Sequence, residues 1–224
     1  MKKSLVLLPL LGGFLLAGCQ FTIFGKTIKL FEKDQQEEKK DDGDDKGGSE
    51  ELKEDITINH EALSDYLEAD FTYPQADYEF SIGGVNFSAT SGVGHKTANS
   101  SGGNYYYDQQ ALQFRKQGHE KGAGVITVAQ AVTASKITIH WFATYAEEAS
   151  KYHPVVLVGE SQDNIKTNVS CNEGSTIKGV KSGQKEGDYD AYNYTTSYNL
   201  SGKKYFAISA PAGAMYVKDI VISK

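Results

Sequence analysis

Arginine is all but missing from this chain: Arg115 stands alone among 23 basic residues in a total of 224. From residue 71 onward thirteen acidic side chains face fourteen basic ones, so that part is nearly neutral. Neutralising a phosphate backbone takes a stripe of cations, and none exists here, which excludes nucleic acid as a partner. Catalytic motifs are missing too. Ser91-Gly-Val-Gly94-His95-Lys96-Thr97 has Thr90 and His95 where a phosphate loop wants glycine, and no helix pattern follows it. Gly118-His-Glu-Lys-Gly122-Ala-Gly124 lacks dinucleotide-loop spacing. The five histidines (His60, His95, His119, His140, His153) never fall into metal-ligand spacing, and no Gly-x-Ser-x-Gly elbow occurs. His119-Glu120 is the nearest approach to an acid/base pair, but adjacent residues seldom converge on one substrate. An enzyme is therefore not expected.

Long apolar runs are confined to the start. Lys2 and Lys3 precede Leu5–Ala17, a stretch interrupted by Pro9, Gly12 and Gly13. It falls short of the roughly 20 residues a membrane-spanning helix needs and has the layout of an export signal over residues 1–18. It closes on Leu16-Ala17-Gly18-Cys19, which resembles the bacterial lipobox. That resemblance implies cleavage before Cys19, a diacylglycerol thioether on its sulfur, and anchoring to membrane lipid on the extracytoplasmic face. Several acyl chains on one residue, at about 0.8 kcal/mol per buried CH₂, suffice for stable anchoring. With Cys19 so committed, Cys171 has no intramolecular partner, and the fold depends on burial and backbone pairing.

Residues 19–60 read as a charged, disordered tether. Residues 32–55 alone carry twelve acidic side chains and five lysines, too polar to build a core. Some 40 flexible residues reach about 35 Å. Phe21-Thr-Ile-Phe24 and Ile28-Lys-Leu30-Phe31 are apolar exceptions, either resting on the membrane or forming a short hairpin. Over residues 61–70, Leu63, Tyr66 and Leu67 have helical spacing and predict a helical turn or two.

From residue 71 to 224 the period becomes two. Tyr78, Phe80 and Ile82 alternate with polar residues up to Gly83-Gly84, after which Val85, Phe87 and Ala89 do the same, predicting a hairpin. Further strands are predicted at residues 112–114, 125–129, 136–145, 154–159, 194–200, 205–210 and 215–222. Many short strands without amphipathic helices between them predict an all-β fold, an antiparallel β-sandwich or jelly roll. In the 136–145 strand, Ile137, Ile139 and Trp141 share the face assigned to the core, and His140 and Phe142 lie opposite. His140 there either lines a groove or is a solvated neighbour.

Three stretches together resemble galactose-binding-like jelly rolls of the discoidin and carbohydrate-binding-module kind. They are Val155-Val-Leu-Val-Gly159-Glu-Ser161-Gln-Asp163, Tyr205-Phe206-Ala-Ile208, and Tyr216-Val-Lys-Asp219-Ile220-Val-Ile222. The chain departs from the usual form at Asn164-Ile165. The resemblance implies glycan binding through exposed aromatics, whose faces stack on sugar C–H groups while amides and carboxylates take the hydroxyls. Two tyrosine-rich segments, read as loops, offer that mixture. One holds Tyr105, Tyr106 and Tyr107; the other holds Asp188, Tyr189, Asp190 and Tyr192. Each either binds ligand or covers the rim of the core. The resemblance also implies a structural calcium near the closing strand, with Asp219 at the matching position and Asp188 and Asp190 as further oxygen donors. No cofactor is expected beyond that ion. The expected function is a lipid-anchored module presenting aromatic loops to a glycan or other extracellular polymer; the alternative is a protein-interaction or adhesion domain.

Overall fold

The computed structural model describes residues 21–23, 26–28, 49–67, 74–96, 111–143, 153–172, 176–186, 189–210 and 213–224. Cys19 lies outside them. Among the described residues the chain forms β1 (Phe21–Ile23), β2 (Lys26–Ile28), β3 (Glu50–Glu51), β4 (Ile56–Asn59), β5 (Tyr78–Ile82), β6 (Val85–Ala89), β7 (Val93–Lys96), β8 (Ala111–Phe114) and β9 (Val125–Val128). There follow β10 (Val132–Thr133), β11 (Lys136–Ala143), β12 (Val155–Gly159), β13 (Thr167–Val169), β14 (Thr176–Glu186), β15 (Tyr189–Asn199), β16 (Tyr205–Ser209) and β17 (Met215–Ser223). The strands β1 and β2 pair with each other as an antiparallel hairpin and belong to a separate unit.

Two antiparallel sheets pack face to face as a sandwich. Among the described residues one runs β14-β15-β11-β17-β8-β7, with β4 also on β17, and the other runs β13-β12-β16-β9-β6-β5. From β8 to β9, β11, β12, β15, β16 and β17, the principal strands pass alternately between the sheets, the winding of a jelly roll. Local chemistry supports this course. Gly83 and Gly84 have φ of 59° and 81°, the paired positive values of a two-residue turn whose twist suits the β5–β6 hairpin. Gly159 ends β12 where a side chain would collide with the backbone of Asn164, so the chain can fold back closely there.

The core lies between the sheets. Ile137, Ile139 and Trp141 of β11, Tyr194 and Tyr198 of β15, and Val217, Ile220 and Ile222 of β17 meet Phe87 of β6, Ile126 and Val128 of β9, Val156 of β12, and Phe206 and Ile208 of β16 in one buried cluster. Strict alternation would place Val217 and Ile220 on opposite faces of β17, yet both are fully buried. The register against β11 shifts between His140 and Trp141, leaving Lys218 as the extra residue of a β-bulge. The bulge resets the phase of the strand and turns Lys218 and Asp219 away from the core together.

The folded unit begins earlier than the sequence predicts. Residues 50–59, assigned to the tether, supply β3 and β4; β3 pairs in parallel with β10, and β4 lies antiparallel on β17 with Ile58 opposite Ile220. The reason is the Ile56-Thr57-Ile58 alternation, whose isoleucines are 3% and 0% exposed and whose burial outweighs the acidic composition around them. Asp55 secures the junction by accepting from the Lys224 amide at 3.2 Å and from the Ser223 hydroxyl at 3.2 Å. Residues 60–67 form hydrogen-bonded turns rather than an assigned helix, with Leu63 N–H donating to Asn59 O at 3.3 Å and Leu67 N–H to Leu63 O at 3.1 Å. Asn59 Oδ1 caps them by accepting from Ala62 N–H at 2.8 Å. Leu63 and Leu67 join the core, while Tyr66 is exposed.

Replacing Ile58 with alanine removes a fully buried side chain from β4. The substitution is expected to cost about 2–5 kcal/mol in urea-induced unfolding. A residue in a disordered tether would show no change.

Candidate functional site

The face of the larger sheet that points away from the core carries the densest group of chemically versatile side chains among the described residues. On β11 the side chains of Thr138, His140 and Phe142 alternate with the buried Ile137, Ile139 and Trp141, so they face outward. Pairing then fixes their neighbours. Gln113 of β8 stands opposite Tyr216 of β17, Tyr216 opposite Phe142 of β11, and Phe142 opposite Asn193 of β15. A single row thus crosses four strands, with successive strands about 4.8 Å apart.

Within that row the polar groups are already oriented. Gln113 Nε2 donates to the Tyr216 hydroxyl at 2.6 Å, which fixes both side chains. Gln113 is 8% exposed and Phe142 only 4%, so the row presents a desolvated floor with Tyr216 half-buried beside it. One step along the strands, His140 is opposite both Asp219 and Thr195, and its Nδ1 is paired with Asp219 Oδ1. The histidine ring is 40% exposed and the carboxylate 18%, so the imidazole offers its edge to solvent while the carboxylate holds it in place. Exposed Lys218, turned outward by the bulge, adds a cation next to Asp219. This surface combines aromatic, amide, imidazole, carboxylate and ammonium groups, the set that engages a hydroxyl-rich ligand.

The predicted site residues fare unevenly. Tyr105, Tyr106, Tyr107 and Asp188 lie outside the described residues. Tyr189, Asp190 and Tyr192 were read as part of a loop; the backbone instead continues β15 through them, paired with β14 at Glu186, Lys185 and Lys181. The strand persists because Tyr and Thr dominate the stretch that follows, and both favour an extended, half-buried backbone. Tyr192 packs partly buried against the core. Asp219, predicted as a calcium ligand, is instead the partner of His140. Among the described residues no three His, Cys, Asp or Glu side chains gather where they could hold a metal ion. Sequence reading passed over Gln113, Phe142, Tyr216 and Lys218. The one available signal was the broken alternation from Val217 to Ile220, which marks the bulge.

Comparison with family models, with curated proteins and with solved structures returns no match.

Behind this surface the tyrosines of β15 are ionised only with difficulty. Burial, reinforced by Tyr192, pushes the Tyr194 phenol up from 10.0 to about 12, and burial also raises Tyr198 and Tyr78. An unfolded chain releases the Tyr194 proton near pH 10 while the folded one keeps it to about 12, so between these values the unfolded state binds fewer protons. This contribution to stability is complete below pH 10 and falls away as the pH rises toward 12. Urea unfolding at stepped alkaline pH should show the decline, and Tyr194→Phe should make it shallower.

Proposed function

We propose that the chain is an acylated extracytoplasmic lipoprotein whose sandwich binds a glycan or similar hydroxyl-rich extracellular polymer. The observation that carries the binding part is the row from Gln113 through Tyr216 and Phe142 to Asn193, flanked by the His140–Asp219 pair. A polymer laid across the strands would meet one side chain per strand. Tyr216 offers a ring to the apolar face of a sugar, and Gln113, Asn193 and His140 offer donors and acceptors to its hydroxyls. Because Gln113 holds Tyr216, and Asp219 holds His140, little ordering is left to be done on binding. The anchoring part rests on Leu16-Ala17-Gly18-Cys19 at the end of a short apolar run.

The full chain in detergent, tested on arrays of plant, host and cell-wall polysaccharides, should retain at least one class. Tyr216→Ala and His140→Ala should each weaken that binding about tenfold, equivalent to about 1.4 kcal/mol. Substituting Glu79, on the outward side of the other sheet, should leave it unchanged. Silence across all the polysaccharides, with capture of a specific protein that sugars do not compete away, would favour the adhesion reading. Separately, Cys19→Ser should move the protein from the detergent phase to the aqueous phase on partitioning.

A further inference from the structure

Three polar groups deep in the core lack a protein partner. Trp141, Tyr194 and Thr196 are 1%, 2% and 0% exposed. Their Nε1, hydroxyl and Oγ1 atoms are buried without a hydrogen bond. Native interiors leave few such groups unmatched, and these three are neighbours. Trp141 stands directly opposite Tyr194 in the β11–β15 ladder, and Thr196 is two residues further along the same inward face, about 7 Å away.

The two aromatic side chains cannot satisfy each other. Their rings stack with centroids 4.3 Å apart and planes 16° from parallel. The indole N–H lies in its own ring plane, as the phenolic O–H does in its own, so each points past the edge of the stack. Tyr198, the next inward residue of β15, shows what a matched hydroxyl looks like: it donates to Pro154 O at 2.5 Å. Phenylalanine and valine would fill the space of Tyr194 and Thr196 without the polar atoms.

We propose that Trp141, Tyr194 and Thr196 form an internal site that holds a neutral oxygen atom. That oxygen accepts from Trp141 Nε1–H and exchanges hydrogen bonds with the hydroxyls of Tyr194 and Thr196. The indole can only donate, so an acceptor is obligatory. A neutral guest is required because the buried polar residues among those described are Gln113, Thr196 and Ser209, none of which carries a charge to pair with an ionic one. Tyr194, with its pKa raised to about 12, keeps its proton for donation at neutral pH. Two sources present this chemistry: an internal water, or the hydroxyl or carbonyl oxygen of a small molecule retained between the sheets. The site is on the opposite face of the sheet from the proposed glycan surface and stands or falls independently of it.

Trp141 is the only tryptophan in the chain, so its indole N–H gives one isolated reporter. In the full chain in detergent micelles, NMR cross-relaxation from that proton to long-lived water would identify the guest as water. An added mass in native mass spectrometry that is released on denaturation would identify an organic guest. Either result upholds the site, and an indole proton that meets only protein protons, with no added mass, overturns it. Tyr194→Phe and Thr196→Val supply a test by sign. Each removes a partner of the guest and should lower the thermal midpoint by about 2–4 °C at neutral pH. An unchanged or raised midpoint would mean that the hydroxyls had been unpaired, and would also overturn the site.

Discussion

The strand β17 is hydrogen-bonded along both of its edges, and the larger sheet depends on it. One edge carries β11 from Lys136 to Phe142; the other carries β8 beside Met215–Val217 and β4 beside Asp219–Ile222. The change of neighbour occurs around the bulge at Lys218. The inner face must supply Val217, Ile220 and Ile222 to the core, and only an extra residue reconciles that spacing with a two-residue period. The same extra residue directs Asp219 outward to His140. Core packing and the composition of the outer surface are therefore set by one local irregularity.

The two faces of β11 and β15 have different chemistry because neighbouring residues have opposite surroundings. Trp141 and Phe142 are adjacent and both buried, but Trp141 belongs to the central core cluster and Phe142 does not. Inward, the ladder presents stacked rings and hydroxyls enclosed between sheets. Outward, it presents an aromatic floor with polar groups held by cross-strand bonds. A substitution on one face need not disturb the other, provided that the register survives.

Much of the sandwich was legible in the sequence, because alternation is a strong signal wherever one face is buried. The β5–β6 hairpin around Gly83-Gly84, the inward set of β11 and the aliphatic end of β17 could be read directly. The strand β4 was obscured by its setting, since two isoleucines among acidic residues contribute little to average composition although both are buried. The strand β14 was missed because Thr176–Glu186 contains glycines and lysines and shows no apolar alternation; β15 is its partner in the pairing. The candidate surface was less legible than the fold. His140 and Asp219 each drew notice alone, but they lie far apart in the chain and only the register makes them a pair. Gln113 and Tyr216 had no local signal, because pairing across the sheet defines their role.

The position of β17 also bears on when the domain can form. It is the last described strand in sequence, yet it sits between β11 on one side and β4 and β8 on the other. A nascent chain that has not yet yielded Met215 has nothing to join those strands, so the larger sheet cannot close while synthesis is under way. Such a polypeptide stays extended until its final segment arrives, the condition required for passage through a narrow translocation pore, and any early stop would leave a fragment with an open seam through its middle.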